Sequence, residues 1–200
     1  MQLTKFTHAC VRLEGPTGVL VIDPGIWTEP EALVSADAIL ITHEHFDHVD
    51  RERVAGLGIP LYAPIDAVLP ELSFSGIRLG DDLEIAGFKV SAVGGRHAPI
   101  YEGQPDCANL GYVVDDSLYH PGDSVSRPGR PIDTLLVPAH GSWLKTSEAI
   151  DFIRDVAPAR AFAIHDAQIN ERGLSGVNRW FEMAGRTNYR WLAPGESTEI

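Results

Sequence analysis

Three histidines and an aspartate fall within six residues, His43-Glu44-His45-Phe46-Asp47-His48, directly behind the apolar run Ala38-Ile39-Leu40-Ile41. A buried strand that ends in such a segment presents nitrogen and oxygen donors on one short loop. Imidazole and carboxylate suit zinc and its borderline neighbours, and ligands already close in sequence lose little chain entropy when they converge on an ion. With 8 histidines in 200 residues, three at chosen positions arise by accident about 6 times in 100,000 per start point. The segment therefore reads as a metal site, not as a histidine-rich solvated turn.

Apolar periodicity predicts short strands over 4–14, 19–23, 38–42, 88–93, 110–114, 134–137 and 160–164. Two amphipathic helices are expected over 147–157, with Ala149, Phe152, Ile153 and Val156 on one face and a stop at Pro158, and over 173–184, with Leu174, Val177, Phe181 and Ala184 at helical spacing before Gly185. Tight turns at 14–18 and at Asp115-Asp116 predict hairpins, so the sheets should be mixed and backed by helices. His43, His97, Asp123 and His165 each follow a predicted strand end. Loops at one edge of a rigid sheet can bring such residues to one point across long sequence separations.

A length of 200 residues with 44% hydrophobic content suits one well-packed domain over 1–200. The net charge of -12, with 16 scattered Lys and Arg, disfavours nucleic acid as a partner. The opening Met1-Gln2-Leu3-Thr4-Lys5-Phe6 lacks the pattern of a leader, and no apolar stretch is long enough for a bilayer, so a cytoplasmic protein without a membrane partner is expected. Cys10 and Cys107 are too few for a disulfide framework and fit a reducing compartment. Oligomeric state is left open.

The run His43, His45, Asp47, His48 resembles the His-x-His-x-Asp-His hallmark of the metallo-β-lactamase fold superfamily. Asp23 in Val21-Ile22-Asp23-Pro24-Gly25, His97 in Gly95-Arg96-His97, Asp123 in Pro121-Gly122-Asp123-Ser124 and His165 in Ala163-Ile164-His165-Asp166 resemble its remaining motifs in order. The resemblance implies an α/β fold, a four-layer αββα sandwich of two mixed β-sheets flanked by helices. It implies one divalent ion on His43, His45 and His97, a second on Asp47, His48 and His165, and Asp123 bridging the two. Zinc is the expected metal, with manganese or iron as alternatives. His43 and His45 would chelate one ion as alternate residues of an extended strand end, while Asp47 and His48 need a turn to reach the other. More narrowly, the early His8 and the stretch Asn109-Leu110-Gly111-Tyr112 resemble small hydrolases related to the L-ascorbate phosphate lactonase, although Pro138-Ala139-His140-Gly141-Ser142-Trp143 departs from the glycine-rich turn of many such relatives.

The implied chemistry is hydrolysis of an ester, lactone or phosphoester by a metal-bridging hydroxide, with Asp47 orienting that nucleophile. Two ions, two aspartates and one hydroxide leave a charge of +1, which points to a small anionic or ester-bearing substrate. Asp23 and His8 are expected to orient ligands by hydrogen bonding, although His8 also fits a structural strand position. Trp27, Tyr101 and Trp143 are expected to wall an apolar pocket, and His140 to donate a proton or touch substrate; loop packing is the plain alternative for all four. No role is assigned to His120. The competing functions are a mononuclear iron dioxygenase acting on a thiol or persulfide and a non-catalytic metal-binding protein.

Overall fold

The computed structural model describes residues 1–200 as two seven-stranded sheets packed face to face. In chain order the strands are β1 (Gln2–Lys5), β2 (Val11–Glu14), β3 (Val19–Ile22), β4 (Ala38–Leu40), β5 (Leu61–Pro64), β6 (Ser75–Ile77), β7 (Asp82–Ile85), β8 (Phe88–Arg96), β9 (Ala108–Val114), β10 (Leu118–His120), β11 (Thr134–Pro138), β12 (Arg160–Ile164), β13 (Asn188–Arg190) and β14 (Ser197–Glu199). The helices are α1 (Arg51–Ala55), α2 (Thr146–Val156) and α3 (Glu171–Ala184), with a 3-10 turn at Pro30–Leu33. The first sheet runs β14-β1-β2-β3-β4-β5-β6 and the second β13-β12-β11-β10-β9-β8-β7. In these orders the first sheet is antiparallel through three joints and then parallel through three, and the second is parallel through three and then antiparallel through three, the switch falling at β3 in one and at β10 in the other.

Both faces of the central strands are covered, which is why their sequences run apolar without alternation. Leu20, Ile22 and Leu40 of the first sheet meet Val90, Tyr112, Leu136 and Phe162 of the second in the inter-sheet core. The opposite faces pack outward: Val21, Ile39 and Ile41 lie under the 3-10 turn and α1, and Leu135, Val137, Ala161 and Ala163 lie under α2 and α3. Each Val, Leu, Ile or Phe among them, removed fully from water, contributes about 2 kcal/mol. The α2 face is Ala149, Phe152 and Ile153 with Val156 at its margin. The Glu148 carboxylate accepts the Lys145 N–H at its start, and Ala157 in the left-handed region closes it before Pro158. Asn170 caps α3 by accepting from the Gly173 N–H.

The αββα layering agrees with the sequence expectation, with one substantive correction. The predicted strand over 4–14 is two strands joined by a turn over 6–10, in which the Phe6 N–H donates to the Cys10 carbonyl and His8 takes φ 69°. His8 is therefore a turn residue. The strand before His97 also runs three residues further than predicted, to Arg96.

Candidate metal centre

All the ligand-type residues leave from strand C-terminal ends beside the switch in strand direction, where loops of an open sheet diverge and leave a crevice. The first sheet supplies Asp23 after β3 and the 43–48 loop after β4. The second supplies His97 after β8, Asp123 after β10 and His165 after β12. The two edges are stitched directly, the Leu110 N–H donating to the Thr42 carbonyl and the Tyr112 hydroxyl to that of Ile41.

Asp123 lies at the centre. Its Oδ2 is 3.2 Å from His97 Nε2, 3.1 Å from His165 Nε2 and 4.0 Å from His43 Nε2, and its Oδ1 is 3.1 Å from His48 Nε2. Around it the donors fall into two groups, His43, His45, His97 and Asp123 in one, and His8, Asp47, His48 and His165 in the other, with the offered atoms of each group within 4.8 Å of one another. His43 and His45 do not converge as alternate residues of a strand. The strand β4 stops at Leu40 and the backbone bends over 42–44, so the two rings meet edge-on with His43 Nε2 3.1 Å from His45 Nδ1. The turn required by Asp47 and His48 is present, the N–H groups of His48 and Val49 both donating to the His45 carbonyl.

Most of these imidazoles are fixed through the nitrogen that faces away from Asp123. Thr42 Oγ1 donates to Asp23 Oδ2 at 2.6 Å, so its lone pair is what His43 Nδ1 meets at 3.0 Å. His48 Nδ1 donates to Asp23 Oδ2 at 2.7 Å, His97 Nδ1 to the Ala98 carbonyl at 2.6 Å, and His165 Nδ1 to the His140 carbonyl. Nε2 is thereby left facing the centre, the arrangement that orients a ligating histidine. His45 is the exception, with Nε2 3.9 Å from the Cys107 thiol. Asp47 Oδ2 accepts from His8 Nε2 at 3.2 Å and from Gln168 Nε2 at 3.1 Å. Trp143 Nε1 donates to Asp123 Oδ2 at 3.0 Å, and Asn109 Oδ1 accepts the Asp123 N–H.

The residues fit a cation. His48 Nε2, His165 Nε2 and Asp123 Oδ1 are buried without any hydrogen bond, although His48 Nε2 lies 3.1 Å from Asp123 Oδ1 and His165 Nε2 3.1 Å from Asp123 Oδ2. Buried polar atoms are rarely left so. Charge agrees: burial opposes protonation of His48, yet Asp123 and Asp23 outweigh it and push its pKa well above the imidazole range. Burial would raise Asp123, but His165 and His48 hold it well below the carboxylate range. Burial, and then His48, push His43 well down. Burial is likewise outweighed at Asp47, which the His8 hydrogen bond brings to about 2, while burial lowers His8 to about 4. The pocket thus wants positive charge at its centre and neutral imidazoles at its margin.

Close approach of the backbone sets the metal loop in place. The Ile26 N–H donates to the Phe46 carbonyl and the Asp50 N–H to that of Pro24, and a Cβ at Gly25 would lie 1.9 Å from the Asp47 carbonyl oxygen. Only glycine fits there.

The remaining predicted residues divide. Asp23 is fully buried between Thr42 and His48. His8 contacts Asp47, and its Nδ1 accepts the Ala167 N–H. Trp143 lines a cavity of about 230 Å³ over the ligands, together with Phe46, Ile100, Ser142 and Gln168. Tyr101 does not line it; it is 72% exposed on the turn closed by Gln104, and its neighbour Ile100 takes the place expected for it. Trp27 reaches the site only through edge-on contacts to His8 and Phe46. His140 meets the site with its backbone carbonyl, and its ring is absent from the cavity wall. His120 is a strut: Nε2 donates to the Ala9 carbonyl and Nδ1 accepts the Gly122 N–H, tying the 6–10 turn to the Asp123 loop. Gln168, Thr42 and Ile100 were not anticipated, and Asn109 was singled out only as part of the stretch 109–112, without a role. For Thr42, adjacency to His43 was a usable signal; Gln168 and Ile100 carry none.

Residues 2–165 match the family model described as the Beta-lactamase superfamily domain. By sequence the chain is similar to Protein Rv0786c of Mycobacterium tuberculosis, 42% identical over 188 residues that cover 87% of this chain and 89% of the other. It is also similar to the UPF0173 metal-dependent hydrolase Ta0764 of Thermoplasma acidophilum, 30% identical over 79% and 80% of the two chains. Among solved structures, Igni18, a metallo hydrolase from Ignicoccus hospitalis, shares the fold with a TM-score of 0.77 at 19% identity, covering 100% of this chain and 98% of that one. No helix of the protein is long and apolar enough to cross a membrane.

Proposed function

This chain belongs to the beta-lactamase superfamily and, within it, to the UPF0173 metal-dependent hydrolases, and from that premise we propose that it is a dinuclear hydrolase cleaving an ester, lactone or phosphoester bond of a small molecule. The observation that carries the reading is the central carboxylate of Asp123 facing four imidazole Nε2 atoms, three of the buried atoms there having no hydrogen-bond partner. His43, His45 and His97 would hold one divalent ion and Asp47, His48 and His165 the other, with Asp123 common to both. Zinc suits this donor set best, and manganese or iron(II) also suit it. Two such ions supply a hydroxide at neutral pH and polarise the bond under attack.

The chain's own residues do the rest. Trp143 fixes Asp123 through its indole N–H, and His8 and Gln168 together fix Asp47 Oδ2. Asp47, its pKa brought to about 2, stays ionised and accepts hydrogen bonds throughout the neutral range. Phe46, Ile100 and Trp143 shield the ligands and lower the local dielectric, which strengthens the electrostatics within. Against a mononuclear iron dioxygenase stands the second donor group, Asp47, His48 and His165, as well buried as the first, and against a purely binding role stands the cavity that reaches His45, Asp47, His97, Asp123 and His165. A reducing, cytoplasmic setting suits the two free cysteines.

Metal analysis of the purified chain, followed by a hydrolysis screen of lactones, thioesters and phosphodiesters, tests the reading. Close to two ions per chain and turnover abolished by chelation are expected. Protein that takes up no metal after incubation with zinc or manganese would end it.

A further inference from the structure

The wall of the cavity away from the ligands carries no positive charge, and we infer that the body of the substrate beyond its scissile group is small, uncharged and apolar, as in a short ester or lactone. This rests on the hydrolase reading above. Phe46, Ile100 and Trp143 form that wall, with Ser142 and Gln168 as its neutral polar groups, and no Lys or Arg lines it. Of the basic side chains nearest along the sequence, Arg172 is exposed and does not line the cavity, and the others are paired elsewhere. Arg51 donates to the carbonyls of Glu44 and Val68, Arg96 pairs with Asp106, and Lys145 pairs with Glu148. Lys5 is buried against Asp166.

The approach is acidic as well. A larger cavity that shares His45 and Phe46 with the first is lined by Glu44, Asp50 and Glu52 against Arg51 alone. An anionic group remote from the scissile bond would shed its hydration in the small cavity and meet no cation in return. The volume of about 230 Å³ is also below the range of drug-sized sites. The charge count of +1 at the metal centre serves only the group under attack, so the expectation of an anionic substrate does not extend to the rest of the molecule.

Paired probes on the metal-loaded full chain test this. Phenyl acetate and 4-acetoxybenzoate share one scissile ester, and the second adds a carboxylate across the ring. Their hydrolysis-resistant amides, acetanilide and 4-acetamidobenzoate, report binding by titration calorimetry. At low ionic strength the neutral member of each pair should be favoured by about tenfold or more, with the gap narrowing as salt is added. Ile100→Arg should raise 4-acetoxybenzoate turnover relative to phenyl acetate by about tenfold. Equal treatment of the pairs, or preference for the carboxylates, overturns the inference while leaving the hydrolase reading in place. If neither ester is cleaved but the amides bind in the expected order, the hydrolase reading fails and the assignment of ligand chemistry to this cavity stands.

Discussion

The two donor groups that meet at Asp123 are held in different ways. In the group of His43, His45 and His97, most supporting contacts are local: Thr42 is adjacent to His43, Ala98 to His97, and His45 meets His43, its one contact with a distant segment being the Cys107 thiol at 3.9 Å. In the group of Asp47, His48 and His165, every support arrives from a distant segment, Asp23 for His48, the His140 carbonyl for His165, and His8 with Gln168 for Asp47. The first half is specified largely by its own loops. The second exists only when the whole fold has closed, so its metal occupancy should track the integrity of remote residues.

The largest effect should come from abolishing the contrast. Asp123→Ala removes the carboxylate common to both halves, and metal content should fall for both ions while kcat/KM drops on the order of 10³-fold, about 4 kcal/mol. Near-normal metal content in that variant would show that the halves do not depend on Asp123. Asp23→Ala comes next, because Asp23 serves both halves, His48 directly and His43 through Thr42. It leaves the Thr42 N–H and hydroxyl unpaired in a fully buried site. A stability loss of about 3 kcal/mol in urea unfolding is expected.

His8→Gln separates the halves. Competition with a chelator should show about 10- to 100-fold weaker binding at one ion and an unchanged second. The same variant has a pH signature in the metal-free chain. His8 sits at about 4 when folded and takes its ordinary value of about 6.5 when unfolded, so between those values the unfolded chain binds more protons. Stability is therefore untouched above about 6.5 and falls as pH drops toward 4, by about 3 kcal/mol from this residue. His8→Gln should flatten that slope, and an unaltered slope would place the titration elsewhere. The smallest effect is expected from Thr42→Val, which removes one local support from His43: about tenfold weaker binding at the locally supported ion alone.

Side chains of metal-ligating type stand out in sequence because their chemistry is scarce, and the convergence of His43, His45, Asp47, His48, His97, Asp123 and His165 was legible for that reason. Their supports were less so. Gln168 is an ordinary amide until the fold brings it 3.1 Å from Asp47, 121 residues away in sequence. His8 was visible, but its turn was not, because apolar residues continue on both sides of it from Leu3 to Leu13 and read as one strand. Ile100 takes the place expected for Tyr101, since the direction of a loop side chain is set by the turn at 101–104 and not by residue type. The fold shows the same division. The strands whose two faces are buried, and the helices α2 and α3 with their long apolar faces, were legible, whereas β6, β7, β13 and β14 are edge strands whose exposed positions break the apolar run, β5 is bracketed by Pro60 and Pro64, and α1 has only five residues.

Gly25 holds no ion and touches no substrate, yet the backbone at Asp47 runs where its side chain would be. It fixes the gauge between the two loops of the first sheet, much as a shim sets the clearance between machined parts. A survey of tolerated substitutions would rank this position with the histidines themselves, and a reader looking only for reactive groups would pass over it.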